Sequence, residues 1–542
     1  MAKKLPIDDL EKLPECAQDF IKLVTKKMRY RKKVRAEVMA ELITHFEEEL
    51  EGTAGEAKEQ KAQEIIEQFG DVKLLAVLMR RAKKRCRSLW RKVFLRLAQA
   101  TGIFIIYLLL MFAYLSFGSP RISFDYIDWI NKYVSQGRNE SLNARNDYTE
   151  AAENLYWTKD IYRERLHHSW PGDMNETQLA LIKDCLEKNK ESFELIRKGS
   201  KLPYYWHEYN WAADSVEFSP AHLLFADEDM NLANYRILAQ LLAVSSSYNA
   251  YSYNIPSAVE DIISLHRFGY HIQSTPPLIE QLVGIAIEGL ANSRTFRILS
   301  RRDLSSDALS QIQRQLRMAN EGISFESEKG FWYDIIQRGF TDDGSGNGRV
   351  LKKGVPYITE SDWKDAVTNL ITCRYPSRKE FTFDIENYFD TLGQLLKTPP
   401  YAKQDRNIIE TKFNTISGKY AMLEILGPSH RKMGQIYRRL QTGRRALLAT
   451  LAILRYNKDF ANLPASLEEL VEKGYLKETP IDPFSGNPFV YKTTPEDFIL
   501  YSVGDNFKDD SGQIARHTEG KRKGQIKEWA DEGDWVFWPI GE

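Results

Sequence analysis

The chain has 542 residues, of which 43% are hydrophobic and 28% are charged, so it is too long for one small hydrophobic core. Its 75 basic and 75 acidic residues leave no net charge, and overall charge therefore indicates neither an acidic nor a basic partner. The charges are unevenly distributed. Residues 1–92 hold 22 basic and 16 acidic side chains, whereas the residues after Arg96 hold 52 basic and 59 acidic ones.

Residues 1–92 are predicted to form a small helical domain. Residues 31–50 are rich in helix formers, and apolar residues recur every four positions along them, at Val34, Val38, Leu42 and Phe46. Further helices are predicted over residues 56–69 and 72–80, separated by a Gly70-Asp71 stop and N-cap. A domain of this size buries little surface, so we expect it to be marginally stable alone or completed by a partner.

Two phrases in this domain carry a family resemblance. They are Arg35-x-Glu37-x3-Glu41-Leu42-x2-His45 and Ile65-x3-Phe69-Gly70-Asp71. Together they resemble the bacterial HAAS-type helical signalling domain, a small helical bundle found on the cytoplasmic side of membrane helices and associated with transcriptional regulators and sensors. The resemblance implies an interaction module rather than an enzyme.

A long apolar run follows the small domain. Residues 97–120 contain no charged residue, and residues 103–117 read IFIIYLLLMFAYLSF. As a helix, 24 residues extend about 36 Å, which is enough to cross a hydrocarbon core of about 30 Å. Because a segment that resembles a folded domain precedes the run, it is not a cleaved signal peptide. We predict one transmembrane helix over residues 93–118.

The residues beside this run predict its orientation. The preceding segment is basic and contains no acidic residue, its charges lying at Arg80, Arg81, Lys83, Lys84, Arg85, Arg87, Arg91, Lys92 and Arg96. The positive-inside rule therefore places the N-terminus in the cytoplasm of a bacterial cell, at the inner membrane, and the C-terminal bulk outside it. A basic stretch beside a membrane helix is usually a topology signal, so we predict no nucleic-acid partner.

Residues 119–440 are predicted to form a large helical extracytoplasmic domain. Predicted helices cover residues 143–165, 176–196, 232–248, 257–273, 278–299, 306–318, 327–338, 381–396 and 408–426. Residues 232–299 read as three helices separated by proline-containing turns, an order similar to the helical hairpins of tetratricopeptide-type arrays, although the 34-residue period is absent. We predict an irregular, solenoid-like array, a shape often used to bind proteins.

Three further features of this domain leave alternatives open. The aromatic segment 204–211 could stack on sugars or peptide, or fill the space between helices. The acidic, glycine-rich segment 342–348 is either a calcium loop or a plain flexible loop. Cys185 and Cys373 could form a disulfide or remain buried thiols. No histidine lies in a zinc-ligand spacing and no nucleophile or phosphate-loop motif follows a predicted strand, so we predict a non-catalytic protein.

Residues 441–542 are predicted to form a small α+β module with a short antiparallel sheet. An apolar helix over residues 443–456 precedes a second helix, for which Ser466 and Glu469 predict a capping box. Strand patterns follow at residues 489–492, 498–503 and 535–538. The chain is therefore expected to be mainly α-helical, with its strands confined to this module.

The order of these elements resembles the globular head of the type II secretion major pseudopilin. The matching phrases are Leu463-Pro464-Ala465-Ser466-Leu467, Asp482-Pro483-Phe484-Ser485-Gly486-Asn487-Pro488 and Leu500-Tyr501-Ser502-Val503-Gly504. In that family the following loop binds Ca²⁺, and the resemblance implies Asp505, Asp509 and Asp510 as calcium ligands here. The apolar run lies far upstream of this module, so polymerisation as a pilin is not expected.

These patterns predict a single-pass bacterial membrane protein that is not an enzyme. Its external helical domain is expected to bind a protein or envelope component, and its cytoplasmic domain to signal or tether. Protein partners are thus expected on both sides of the membrane. The alternatives are a scaffold for secretion or envelope assembly and an extracytoplasmic hydrolase.

Overall fold

A computed structural model shows a mainly helical chain with one small three-stranded antiparallel sheet in its described part. It divides into two compact units, Met1–Phe112 and Ala113–Glu542. The structure describes residues 7–85, 89–158, 161, 169–209, 232–317, 325–358, 375–495, 497–516, 526–527, 529–530 and 532–540.

The smaller unit is a helical bundle followed by most of a long apolar helix. Its helices are α1 (Ile7–Leu10), α2 (Glu15–Lys27), α3 (Lys32–Glu49), α4 (Glu56–Phe69), α5 (Val72–Arg85) and α6 (Leu89–Ser116), the last of which continues into the larger unit. The predicted apolar face of α3 is confirmed, because Val38, Leu42 and Phe46 are buried. The predicted N-cap is also confirmed, since a carboxylate oxygen of Asp71 accepts the backbone N–H groups of Lys73 and Leu74.

Helix α6 contains the predicted membrane span. Within the part of the chain that the structure describes, Val93–Ser116 is the one segment long and apolar enough to cross a membrane. Its apolar side chains are largely exposed, Phe94 to 75% and Ile103 to 69%. The sequence therefore predicted the candidate helix correctly, and its start at residue 93 matches.

The larger unit contains the remaining helices. They are α7 (Tyr126–Ser135), α8 (Arg145–Glu153), α9 (Glu176–Lys188), α10 (Lys190–Ser200), α11 (Leu232–Tyr251), α12 (Ile255–Gln273), α13 (Leu278–Arg301), α14 (Ser306–Leu316), α15 (Glu326–Gly339), α16 (Val355–Ile358), α17 (Arg378–Lys397), α18 (Lys403–Ser417), α19 (Ala421–Phe460) and α20 (Leu467–Glu472), with 3₁₀ helices at Glu140–Leu142 and Pro171–Asp173. The helices predicted over residues 232–299 are confirmed as α11, α12 and α13.

Two predicted helices of this unit are wrong in their extent. The one predicted over residues 176–196 is divided at Asn189, whose side-chain amide donates to the carbonyl oxygens of Cys185 and Tyr156, both at 2.8 Å. The one predicted over residues 408–426 ends at Ser417, and α19 begins four residues later. The prediction over 143–165 partly lies outside the described residues, and its described helix, α8, ends at Glu153.

The three predicted strands are confirmed to within one residue. They are β1 (Val490–Thr493), β2 (Phe498–Ser502) and β3 (Trp535–Trp538), in the order β1-β2-β3 and antiparallel throughout. The sheet shares a hydrophobic core with the helices, because Leu500 and Trp538 belong to the same buried cluster as Ile262 and Leu451. Helix α19 runs without a break through the predicted domain boundary at residues 440–441, which stays a prediction.

The capping box predicted before α20 is wrong. The Ser466 side chain makes no capping hydrogen bond. One carboxylate oxygen of Glu469 accepts the backbone N–H of Ala465 at 2.7 Å, and the other accepts the Tyr456 hydroxyl at 2.5 Å. Tyr456 belongs to α19, so one oxygen of the Glu469 carboxylate forms a contact between α19 and α20 in place of a bond within a capping box.

Helices α12 and α13 approach each other closely where two glycines meet. A Cβ atom on Gly284 would lie 2.6 Å from the carbonyl oxygen of Gly269 and would overlap the backbone nitrogen of Gln273. A Cβ atom on Gly269 would lie 2.8 Å from the backbone nitrogen of Glu288. Any side chain at either position would therefore push the two helices apart, because backbone atoms cannot rotate out of the way.

The start of α13 is capped from a distant helix. Its N-cap residue is Pro277, which has no side-chain acceptor, and the Leu278 N–H instead donates to a carboxylate oxygen of Glu328 on α15 at 3.1 Å. Burial raises the pKa of Glu328 to about 7, although this hydrogen bond acts in the opposite direction. The Glu328 carboxyl group therefore joins α13 to α15, and its burial disfavours the ionised form.

We predict that Gly284→Ala and Gly289→Ala change stability in opposite directions. The first adds a methyl group into backbone atoms, so the free energy of unfolding should fall by about 2 kcal/mol or more. Among the described residues, no atom lies within 4 Å of a Cβ atom at Gly289, so there the better helix propensity of alanine should add about 0.5–1 kcal/mol. Thermal melting of the two full-length variants tests this, and equal melting temperatures would contradict the close crossing.

We predict a pH-dependent stability that depends on Glu328. Its pKa is raised in the folded protein, so its contribution is fully present below the unfolded value near 4.5 and is lost as the pH rises through about 7. Melting temperatures of the wild type and of Glu328→Gln should diverge between pH 5 and pH 8 by the equivalent of about 3 kcal/mol, with the variant more stable at the higher pH. The exposed Glu326→Gln on the same helix is the control and should leave the wild-type profile unchanged.

Candidate functional site

A groove of about 800 Å³ lies between α13, α19 and the sheet. We name it the C-terminal groove. Apolar side chains form most of its described lining, at Ile285, Leu290, Phe296, Ile436, Leu440, Ile514, Ile526, Trp529, Trp535, Val536, Phe537 and Ile540. Its volume and its apolar walls with a few polar groups are typical of binding sites rather than of surface irregularities.

Helix α13 presents one face to the groove. Ile285, Gly289, Asn292 and Phe296 follow one another at intervals of four, three and four residues, which places them on one side of a helix. No described atom lies within 4 Å of a Cβ atom at Gly289, so the described walls of the groove leave this point open. The middle of this wall is therefore without a side chain, and a ligand has room to approach the helix backbone.

A polar group without a partner lies in this wall. Asn292 is 5% exposed, and its side-chain oxygen Oδ1 has no hydrogen-bond partner among the described residues. An unsatisfied buried acceptor costs about 1–3 kcal/mol. Asn292 lines the groove, so a donor on a bound ligand would recover this energy.

The charged groups of the groove are mostly basic. Arg294, Arg297, Arg439 and Lys527 line it, against one carboxylate, Asp534. Both Asp534 oxygens already accept backbone N–H groups, those of Asp510 at 3.2 Å and Gly512 at 2.6 Å. Burial first, and the neighbouring Arg297 second, together lower the pKa of Arg294 to about 9, and the group remains charged at neutral pH. The groove therefore favours a ligand that carries negative charge beside apolar groups.

A sheet edge adjoins the groove. Strand β3 pairs with β2 on one side and lies at the end of the strand order, and Trp535, Val536 and Phe537 line the groove. The backbone of an edge strand can pair with an added extended chain. Apolar walls, basic groups and an edge strand thus meet in one place.

The two helices of the groove are joined by a buried ion pair. Arg444 of α19 donates to a carboxylate oxygen of Glu288 on α13, and the two side chains are 6% and 3% exposed. A buried pair of this kind is strongly destabilised by loss of one partner, because the remaining charge is left in the core. The pair lies one position from Gly289 in the sequence and joins the two helices that line the groove.

The structure places the three predicted calcium ligands in one loop but gives each carboxylate a different partner. Asp505 lies 3.8 Å from the Arg439 guanidinium. Asp509 accepts the Tyr501 hydroxyl and the Ser511 N–H, both at 2.8 Å, and these bonds lower its pKa. Asp510 accepts from Asn506 at 2.6 Å.

No group of three Asp, Glu, His or Cys side chains that could hold a metal ion occurs among the described residues. The pKa of Asp534 is raised, by burial first and by Asp509 and Asp510 as well. The Asp534 carboxylate contacts this loop through the backbone N–H groups of Asp510 and Gly512, although it was not among the predicted ligands. Calcium binding by Asp505, Asp509 and Asp510 stays a prediction.

The four described histidines of the larger unit are buried, His207 among them, and the other three contact hydroxyl groups. The ring nitrogens of His266, His271 and His430 lie 3.2, 2.8 and 2.5 Å from hydroxyl groups of Thr295, Tyr148 and Tyr388. Burial lowers their pKa values to about 3, 3 and 4. They are therefore neutral at physiological pH and belong to the packed interior.

Of the other features that the sequence suggested, some lie among the described residues and some do not. In segment 342–348, Asp343 accepts three groups of its own loop and Asp342 forms a 3.0 Å ion pair with Arg378. Cys185 is buried, and burial raises the pKa of its thiol to about 11. Cys373 and Cys86 lie outside the described residues, as do positions 210 and 211 of the aromatic segment.

No protein-family model matches this chain, and no curated protein and no solved structure shows significant similarity to it.

The sequence did not predict the C-terminal groove. Glu288, Asn292 and Arg294 stand among the apolar residues of α13, but only the structure shows that all three are buried. Buried polar residues in a helix indicate a partner or a site. The pairing of α13 with α19 and β3 depends on residues more than 130 positions apart, which no local pattern reveals.

Proposed function

We propose that this chain is a single-pass membrane protein whose larger unit is an extracytoplasmic, non-catalytic binding domain. The C-terminal groove binds an extended protein segment that combines apolar and acidic side chains. The observation that carries the proposal is the buried Asn292 oxygen, which has no hydrogen-bond partner among the described residues and belongs to an apolar groove with a basic lining. A peptide N–H satisfies Asn292, and carboxylates pair with the arginines.

A protein segment fits the groove better than a small apolar molecule does. Strand β3 is the end strand of the described sheet and lines the groove, and an extended protein segment can pair with the backbone of such a strand, which a small apolar molecule cannot do. The open position at Gly289 leaves room for a backbone beside α13. Four basic groups and one carboxylate line the groove, and although Arg439 lies 3.8 Å from Asp505, the balance favours an acidic segment over a basic one.

The smaller unit is proposed to lie in the cytoplasm and to signal or tether. Its support is the basic stretch before α6 and the exposed apolar face of α5, where Leu74, Val77 and Leu78 are 59%, 45% and 51% exposed. Contiguous exposed apolar side chains on a small bundle are typical of an interaction surface. The HAAS resemblance agrees with this role.

The orientation is tested with a membrane-impermeant maleimide in intact cells. Phe383 on α17 is 62% exposed and Leu74 on α5 is 59% exposed, so a cysteine at either position is accessible to the reagent on its own side of the membrane. Phe383→Cys should be labelled in intact cells, and Leu74→Cys only after lysis. The wild-type protein corrects for its native cysteines. The reverse pattern, or equal labelling of both variants before lysis, would contradict the topology.

The groove is tested with a displayed peptide library selected on the full chain in nanodiscs. Selected peptides should combine Asp or Glu with large apolar residues. Gly289→Phe fills the open position and should weaken their binding at least about tenfold, which corresponds to about 1.4 kcal/mol. Ser300→Phe, at an exposed position of α13 that does not line the groove, is the matched control and should bind like the wild type. Selection of basic peptides, or equal binding by both variants, would refute the proposal.

A further inference from the structure

A second cleft of about 520 Å³ lies apart from the C-terminal groove. It is formed by the end of α7, by residues 203–205 and by the turn between α12 and α13. We name it the tyrosine cleft, after the rings of Tyr133, Tyr204 and Tyr270 that line it. Its size is in the range of pockets that hold one small ligand.

Two of these rings are held in place by neighbours. The ring of Tyr133 is 50% exposed and stacks on Trp129 with the ring centroids 5.9 Å apart. The guanidinium of Arg138 lies 5.6 Å from the centroid of the Tyr204 ring. Aromatic rings that are already positioned lose little conformational freedom when a ligand stacks on them.

The base of the cleft carries a buried acceptor without a partner. Gln273 is 7% exposed, and its side-chain oxygen Oε1 has no hydrogen-bond partner among the described residues. Gln273 is the last residue of α12, its backbone packs against Gly284, and the turn after it is closed by a 2.9 Å hydrogen bond from the Gln281 amide to the Pro276 carbonyl. A ligand donor that reaches the Gln273 oxygen would supply the hydrogen bond that the described residues do not.

The polar groups of the cleft are almost all neutral. Among the described residues that line it, none is acidic, and Arg138 is the one Lys or Arg side chain. Burial lowers the pKa of His271 to about 3, so this ring is neutral. The remaining polar side chains are amides and hydroxyls, at Gln136, Gln273, Ser274, Thr275 and Gln281. The described lining therefore offers no negative charge to a cationic ligand, and it offers one positive charge, that of Arg138, to an anionic ligand.

We infer that the tyrosine cleft binds a saccharide of one or two rings. A sugar ring has an apolar face, which stacks on a tyrosine ring, and a rim of hydroxyl groups, which donate to and accept from neutral amides and hydroxyls. A sugar hydroxyl supplies the donor that Gln273 lacks. Arg138 can also pair with a carboxylate substituent on the sugar.

The inference is tested by calorimetric titration of the full chain in nanodiscs, which avoids sugar-headed detergents. The probes are cellobiose, chitobiose and a disaccharide that ends in glucuronate, with sorbitol as the open-chain polyol. Binding of at least one disaccharide without binding of sorbitol supports the inference. No binding of any disaccharide, or equal binding of sorbitol, overturns it.

Variants locate the binding in the cleft. Tyr204→Ala removes a stacking face, and Gln273→Leu removes the acceptor at similar volume, so each should weaken disaccharide binding about tenfold. Tyr253→Ala removes a ring that is 77% exposed and does not line the cleft, and it should bind like the wild type. Thermal melting confirms that each variant is folded. Unchanged affinity in the folded Tyr204→Ala variant would place any binding elsewhere.

The two sites are separable. Gly289→Phe blocks the C-terminal groove and should leave disaccharide binding unchanged, whereas Tyr204→Ala should leave peptide binding unchanged. The peptide measurements and the disaccharide measurements therefore test the two proposals independently.

Discussion

The ion pair between Glu288 and Arg444 is the contact on which the larger unit depends most. It joins α13 to α19 in the core, and α19 in turn packs against the sheet through the shared buried cluster. Removal of one partner leaves an unpaired buried charge, which typically costs 3–5 kcal/mol. The close crossing of α12 and α13 at Gly269 and Gly284 adds a second constraint. Together they hold both walls of the C-terminal groove in place.

Local patterns predicted much of the secondary structure because they are physically local. The strands near residues 490, 498 and 535 and the helices α11 to α13 follow from alternation, helical periodicity and proline turns. The wrong predictions have tertiary causes. The Glu469 carboxylate of the predicted capping box accepts a hydrogen bond from the Tyr456 hydroxyl. The Asn189 side chain donates to the carbonyl oxygens of Cys185 and Tyr156 at the point where a predicted helix is divided. The sequence offered segment 204–211 as a possible stacking surface, but the shapes of the groove and of the cleft were not predictable, because each is formed by elements that are far apart in the sequence.

The C-terminal groove and the tyrosine cleft have one structural feature in common. Each is a concave surface lined by a residue whose buried amide oxygen has no hydrogen-bond partner in the described part of the chain, Asn292 in the groove and Gln273 in the tyrosine cleft. Their surroundings differ, since the groove is apolar and basic whereas the cleft is aromatic and neutral. A domain with both sites would hold a protein segment and a saccharide at once. Such a pair of ligands agrees with the proposed role at the cell envelope, and the exposed face of α5 offers a separate surface on the smaller unit.

Site-specific photocrosslinking in intact cells tests the central claim most directly. A photoreactive amino acid replaces Val536 on β3, within the C-terminal groove, and in a matched chain it replaces Phe383, which is 62% exposed on α17. The account predicts a discrete protein adduct from position 536 whose crosslinked segment is apolar and acidic, and no such adduct from position 383. Absence of an adduct at position 536, or the same adducts from both positions, would contradict it.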